Sequence, residues 1–173
     1  MAVKPIITIP NKVLREKTEK VKNVDSEVAS LAKDLLDTVR VAKDPEGAGL
    51  AATQIGVSKR VCVVRNFFKD PANPEKILSE DIILINPKII SNSKETEVDW
   101  EGCLSVPDKY GKVERFEKVK ITAVGIDGKD IKIKASGYFA RIVQHEIDHL
   151  DGILFTDKVI GETISEEELE KQL

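Results

Sequence analysis

The clearest helical pattern lies in residues 26–43. Apolar side chains there recur at spacings of three and four residues, so they share one face of an amphipathic helix: Val28, Leu31, Ala32, Leu35, Leu36 and Val39. Ser26 is a suitable N-cap. The sequence Asp44-Pro45-Glu46-Gly47 predicts the end of this helix, because proline and glycine do not continue one.

A second helix is predicted near the end of the chain. It begins at Ser136 or Gly137, runs to about Leu150 and is closed by Asp151-Gly152. Beyond it, Ser165 and Glu168 have the spacing of a capping box, which predicts a short acidic helix.

Strands are predicted between these helices. Short apolar and β-branched runs predict strands at residues 60–64, at residues 82–85, where Pro87 interrupts the pattern, and at residues 95–100. Residues 66–81 are polar, contain two prolines and are predicted to be a surface loop. The glycine-rich residues 47–56 favour neither a helix nor a strand.

Alternating residues 119–126 and 131–135 flank Asp127-Gly128, which predicts a β-hairpin. Helices and strands do not alternate regularly, so a doubly wound parallel sheet is not expected. We therefore predict an α+β fold, with antiparallel β-sheets packed around the helix of residues 136–150, in a single domain over residues 1–173.

Composition narrows the class of protein. Of the 173 residues 41% are hydrophobic, enough for a core, and the 27 basic residues nearly balance the 30 acidic ones. We expect no direct nucleic-acid binding, since bulk charge would not support it. Two cysteines are too few for a disulfide scaffold. No apolar run is long enough for a membrane span, and the N-terminus resembles no targeting segment. A cytoplasmic protein is expected.

The sequence QHEIDHL, residues 144–150, carries candidate metal chemistry. His145 and His149 are four residues apart, so on a helix both imidazoles leave the same face and can hold one ion. Glu146 lies about 100° around the helix from His145. It can therefore reach a water near the ion without ligating it, as a general base in metal-assisted hydrolysis must.

A catalytic site of this kind needs a third protein ligand. The chain has only two histidines, so that ligand is a carboxylate or a cysteine. Cys62, in VCVV, is interpreted as a buried apolar residue. Cys103, in EGCLS, is equally compatible with ligation and with packing on spacing alone.

Three motifs together are more specific than any one of them. GAGLAATQ (residues 47–54), EGCLS (residues 101–105) and HEIDH (residues 145–149) resemble, in order and spacing, the three signature motifs of the peptide deformylase family. The N-terminal segment and the first predicted helix are also similar to that family, so the resemblance covers nearly the whole chain.

The resemblance implies hydrolysis of the N-formyl group from the formylmethionine of newly synthesised polypeptides, with release of formate. It implies one divalent metal ion, natively Fe²⁺, although Zn²⁺ or Ni²⁺ often occupies purified proteins; the implied ligands are Cys103, His145 and His149. Glu146 is then the acid–base residue. The side-chain amide of Gln54 and the backbone N–H of Leu104 would donate hydrogen bonds to the oxyanion.

Substrate contacts are predicted in two places. If a peptide runs beside the glycine-rich segment as an added strand, its contacts are Ala48, Gly49 and Leu50; the alternative is a structural glycine turn. Three residues precede His145 on its helical face and are predicted to form the methionine pocket: Tyr138, Arg141 and Ile142. Glu101 and Asp148 are candidates to orient the histidine ligands, although Asp148 is equally compatible with a surface charge or a salt-bridge partner.

Two features depart from the family pattern. Several bacterial deformylases have an arginine at the position of Tyr110, and Arg115 or Lys109 is a candidate to replace it in anchoring the peptide. The C-terminal segment ISEEELEKQL is acidic, so ribosome binding through it is doubtful on charge grounds.

Two alternative functions remain open from the residues. One is a metallohydrolase of another kind, such as a peptidase that cuts internal bonds. The other is a non-catalytic metal-binding protein, which is disfavoured because both Glu146 and Gln54 are present.

Overall fold

The computed structural model describes residues 2–43 and 46–172. It contains three α-helices and seven β-strands in these residues: α1 (Ser26–Val41), β1 (Gly49–Ala51), β2 (Val61–Lys69), β3 (Ile77–Asn92), β4 (Thr96–Cys103), β5 (Val106–Phe116), β6 (Lys118–Val124), β7 (Asp130–Ser136), α2 (Gly137–Leu150) and α3 (Glu166–Glu170). The strands form a five-stranded sheet of order β1-β2-β3-β6-β7 and a two-stranded sheet of β4 and β5. Every pairing within both sheets is antiparallel.

Helix α2 lies between the two sheets and contacts strands of both. Its buried hydrophobic residues, with inner residues of β2, β6 and β7, belong to one core cluster. Ser136 is its N-cap and Asp151 its C-cap, as the sequence predicts. The predicted α+β fold with antiparallel sheets around this helix is therefore confirmed.

Helix α1 buries the predicted apolar stripe against β1 and β2. Asp25, rather than Ser26, is its N-cap, and its carboxylate accepts a hydrogen bond from the backbone N–H of Val28 at 3.0 Å. The helix ends at Val41, two residues before the predicted end. Of the segment predicted to terminate it, Asp44 and Pro45 lie outside the described residues.

The loop predicted at residues 66–81 is wrong over most of its length. β2 and β3 pair from Val61↔Ile85 to Lys69↔Ile77, so only residues 70–76 connect them. The paired part of these two strands next to residues 70–76, here called the β2–β3 arm, is partly exposed. Its polar residues therefore obscure the alternating pattern of a strand. β3 also continues through Pro87. The ladder is irregular between Ile85 and Lys88, where Asn86 has a φ of 53°, so the missing N–H of proline is not required there.

The β4–β5 hairpin was predicted only in part. β4 extends beyond the predicted strand to Cys103, and β5 was not predicted. A two-residue turn, Leu104 and Ser105, joins them. By contrast, the hairpin of β6 and β7 around Asp127-Gly128 is confirmed. On its outer face Lys120 and Lys134 are directly opposed.

No helix in the described part of the chain is long and apolar enough to cross a membrane.

Candidate metal centre

Three side chains with metal-binding atoms converge where α2 passes the end of β4. One donor atom from each of Cys103, His145 and His149 lies within 4.8 Å of the other two. The Cys103 Sγ is 3.2 Å from the His149 Nε2, and the two imidazole centroids are 4.9 Å apart in an edge arrangement. The helical spacing of the histidines and the position of Cys103 at the end of β4 together produce this cluster.

The donors fit a divalent ion. A thiol and two imidazoles suit iron or zinc, and three protein ligands leave a position open for chemistry. His145 Nδ1 lies 3.0 Å from a Glu101 carboxylate oxygen, so its proton belongs on that nitrogen and Nε2 is left to ligate. Burial lowers the pKa of His149, which favours the neutral imidazole that a metal requires.

Glu101 holds the site together from β4. Arg115 of β5 donates to both of its carboxylate oxygens, at 2.8 and 2.9 Å, and Arg141 of α2 donates to one at 2.9 Å. Burial opposes ionisation of Glu101, but the hydrogen bonds from Arg115 and His145 hold its pKa well below the usual range. Glu101 therefore remains a carboxylate that orients His145, as the sequence predicts.

Asp148 extends this network to the protein surface. Its carboxylate accepts from Arg115 and pairs with Lys158 at 2.7 Å. Arg115 is only 4% exposed and is held by two carboxylates. The suggestion that Arg115 anchors the peptide is therefore wrong, because its guanidinium is already engaged inside the protein. Lys109 is exposed at the β4–β5 hairpin and stays a candidate.

Glu146 is 3% exposed and faces β1. Its Oε2 has no hydrogen-bond partner among the described residues. Burial raises its pKa to about 7, despite the opposing effect of His145. A Cβ on Gly49 would lie 2.5 Å from the Glu146 Oε1, so the absence of a side chain at Gly49 makes room for this carboxylate.

The Gln54 amide is held beside the same cluster. Its Oε1 accepts from the backbone N–H of Ala51 at 2.8 Å. Its Nε2 therefore points towards the Cys103 Sγ at 3.6 Å and the Ser105 hydroxyl at 3.1 Å. The Gln54 amide is therefore a donor of fixed orientation beside Cys103.

A cavity of about 260 Å³ opens onto these groups. Most of the predicted site residues line it: Ala48, Gly49, Gln54, Cys103, Leu104, Tyr138, Arg141, Ile142, His145 and Glu146. Leu50 is different, because its side chain is buried in the core against α1. The Arg141 guanidinium also donates to the backbone oxygens of Val113 and Glu97, so its position is fixed by both β4 and β5.

Gly47, in the segment predicted to lie beside the peptide, also lines the cavity, whereas some residues of the wall were not predicted: Glu46, Trp100, Gly102, Tyr110 and Leu169. Trp100 and Gly102 are the half-buried neighbours of the buried Glu101 in β4. The alternation of the two faces of a strand could have pointed to them. Leu169 is the one apolar residue of an acidic helix. That isolation is a signal for packing, although it does not indicate the partner.

The chain matches known proteins over most of its length. Residues 3–164 match the family model described as polypeptide deformylase. A protein of Thermomicrobium roseum named peptide deformylase is 46% identical over 164 residues, which cover 92% of this chain and 87% of that protein. A peptide deformylase of Dictyoglomus thermophilum is 42% identical and covers 96% of this chain and 99% of its own length.

Solved structures agree with the sequence relatives. The crystal structure of peptide deformylase from Ehrlichia chaffeensis superposes with a TM-score of 0.82 at 35% identity, covering 92% of this chain and 89% of that one. A class I type b peptide deformylase from Acinetobacter baumannii, in a structure bound to Met-Ala-Ser, gives a TM-score of 0.79 at 34% identity, covering 91% and 99%.

Proposed function

This chain belongs to the peptide deformylase family, and we propose that Cys103, His145 and His149 hold the metal ion of its active site. As a deformylase it is a metal-dependent hydrolase that removes the N-formyl group from nascent polypeptides. The observation that carries the site assignment is the convergence of these three donors beside Glu146 and the Gln54 amide.

The proposed ion is a single divalent metal, natively Fe²⁺, with Zn²⁺ or Ni²⁺ as possible replacements. The thiol and imidazole donors suit iron and zinc alike. When bound, such an ion supplies Lewis acidity, which polarises a carbonyl and makes water a nucleophile near neutral pH. Proton transfer, oxyanion stabilisation and substrate positioning are the work of this chain's own residues.

Glu146 is the proposed acid–base residue. It accepts a proton from the attacking water and delivers it to the leaving amine of methionine. Its carboxylate lines the cavity beside the three donors, where it can reach both the water and the leaving amine.

Gln54 and Leu104 are the proposed oxyanion donors. As the formyl carbon becomes tetrahedral, its oxygen gains negative charge and accepts from the Gln54 Nε2 and the Leu104 backbone N–H. The bond from Ala51 fixes the Gln54 amide before substrate arrives, so no reorganisation is needed. Losing one such donor typically costs about 3 kcal/mol in barrier height.

The methionine side chain is proposed to bind beside α2, against Tyr138, Ile142 and the stem of Arg141. The peptide would extend along Ala48, Gly49 and the backbone of Leu50 on β1. β1 is an edge strand that pairs with β2 on one side within the described sheet, which favours strand addition on the other.

We also infer that the chain is one catalytic domain, since the family model spans residues 3–164. N-formylated nascent chains are the proposed partners, and the cytoplasm, where such chains are made, is the proposed location. Ribosome association through the acidic α3 finds no support in its charge.

Formate release tests the proposal. The Acinetobacter relative was crystallised with Met-Ala-Ser, so formyl-Met-Ala-Ser is a suitable substrate. Protein purified without oxygen should contain one divalent ion per chain and release formate without cutting internal bonds. Internal cleavage without formate release would instead support a peptidase, and bound metal without any turnover would support a non-catalytic protein.

The Glu146→Ala variant separates chemistry from metal binding. It should retain the ion and lose turnover, because the ligands are unchanged while the proton acceptor is gone. Glu162→Ala, at an exposed position, is the matched control and should keep full activity. Normal turnover by Glu146→Ala would contradict the assigned role.

A further inference from the structure

The acidic helix α3 places one apolar side chain in the wall of the catalytic cavity. Of its five residues, all of them described, four are exposed glutamates and only Leu169 is half-buried. Leu169 lines the same cavity as Cys103, His145 and Glu146. The helix therefore buries its single apolar residue against the substrate site and not against the main core.

Several bonds fix α3 in this position. Ile164 exchanges two backbone hydrogen bonds with Tyr110 of β5, at 2.9 and 2.8 Å. The Glu166 backbone N–H donates to the Asp108 carboxylate at 3.0 Å. A capping box with Ser165 closes the first turn. Leu169 is thus held by the β4–β5 hairpin that also carries Cys103.

Tyr110 completes this part of the wall. A Cβ on Gly102 would lie 2.5 Å from the Tyr110 Cε1, so the ring lies against the backbone next to Cys103. Tyr110 and Leu169 both line the cavity and belong to elements other than α2, whose residues form the proposed methionine pocket. The cavity consequently has a second apolar surface.

We propose that Leu169, with Tyr110, is a specificity-determining contact for the side chain of the residue that follows methionine in the substrate. This inference rests on the proposed function and substrate orientation. In an extended peptide, neighbouring side chains point in opposite directions. When methionine enters the α2 pocket, the next side chain faces away from it, towards a surface formed by other elements. An apolar side chain is the one that this surface favours.

Two formylated tripeptides test the contact: formyl-Met-Leu-Ser and formyl-Met-Ala-Ser. Wild-type protein should have the higher kcat/KM for the leucine peptide. Leu169→Ala should lower kcat/KM about tenfold for the leucine peptide, mainly through KM, because apolar contact area is lost. In the alanine peptide the side chain after methionine is too short to reach Leu169, so Leu169→Ala should leave its kcat/KM unchanged.

Matched variants exclude a merely structural effect. Leu169→Met, which conserves volume, should restore the preference for leucine. Glu170→Ala, an exposed neighbour on the same helix, should change neither peptide. An equal loss on both peptides would mean that Leu169 only supports the fold, and no loss on either would remove it from the site; both results overturn the proposal.

Failure of the underlying function gives a different result. If wild-type protein releases formate from neither peptide, the deformylase assignment itself fails. If it releases formate from both at equal kcat/KM, the deformylase assignment stands and the contact proposed for Leu169 is refuted.

Discussion

Adding one methyl group at Gly49 tests the position of Glu146 most directly. In Gly49→Ala the new Cβ would lie 2.5 Å from the Glu146 Oε1, 2.7 Å from its Cγ and 2.8 Å from its Cδ. Ordinary van der Waals contacts of a Cβ begin at about 3.4 Å, so the Glu146 carboxylate or β1 must shift by roughly 1 Å. Since φ at Gly49 is not positive, the effect is steric and not conformational.

A displacement of this size should be costly for turnover. Misplacing a catalytic group by about 1 Å lowers rates on the order of 10²-fold. Overpacking of this kind also costs about 1–3 kcal/mol of stability. The three atoms nearest to the new methyl group all belong to Glu146 and none to a proposed metal ligand, so the metal content should remain at the wild-type level.

The assay is steady-state formate release together with metal analysis and thermal unfolding. Gly125→Ala is the matched control: its φ is not positive, its new Cβ would lie 3.0 Å from the Asp127 carboxylate far from the cavity, and its next contacts, with Ile131 and the Lys129 backbone oxygen, are ordinary ones at 3.6 and 3.7 Å. Gly49→Ala with normal kcat and raised KM would refute the reasoning. That result would mean that the bare α-carbon serves the peptide and not Glu146.

Three further predictions concern the metal donors, a buried ion pair and a pair of opposed lysines. Metal at about 100 times its Kd should stabilise the protein by about 2.7 kcal/mol, and chelation should lower Tm; an unchanged Tm would contradict the site. Arg115→Leu should lower the free energy of unfolding, measured in urea, by about 3–5 kcal/mol, because Glu101 and Asp148 lose a buried partner. A decrease below ~1 kcal/mol would contradict this. Lys134→Glu, opposite Lys120, should stabilise the sheet by about 0.2–1 kcal/mol at low salt, and a salt-independent effect would exclude a charge interaction.

Local patterns predicted the parts of the fold that depend on local physics. The helices α1 and α2 and the β6–β7 hairpin follow from periodicity, caps and a turn dipeptide, and each forms nearly where predicted. β5 was missed because its buried and exposed residues alternate within a charged sequence, where only the pairing with β4 shows which face is inside. The β2–β3 arm was missed for a related reason, since partly exposed strands need few apolar residues.

In the candidate site too, local spacing predicted some residues, whereas others depend on the tertiary arrangement. His145, Glu146 and His149 share one helix, so their spacing predicted their grouping. On spacing alone Cys103 was equally compatible with ligation and with packing, and the resemblance favoured ligation. Its approach to His149 depends on how β4 meets α2. Leu169 could not have been predicted, because its place in the cavity depends on the bonds between Tyr110 and Ile164, which are far apart in the chain.

Glu101 has a consequence for the metal-free protein. It is bound at once by Arg115, Arg141 and His145, which belong to both the small sheet and the central helix. The orientation of the His145 imidazole is therefore set by hydrogen bonds that do not involve the metal. The metal-free protein should already present the His145 Nε2 towards Cys103 and His149, so that uptake of an ion need not wait for this ring to turn.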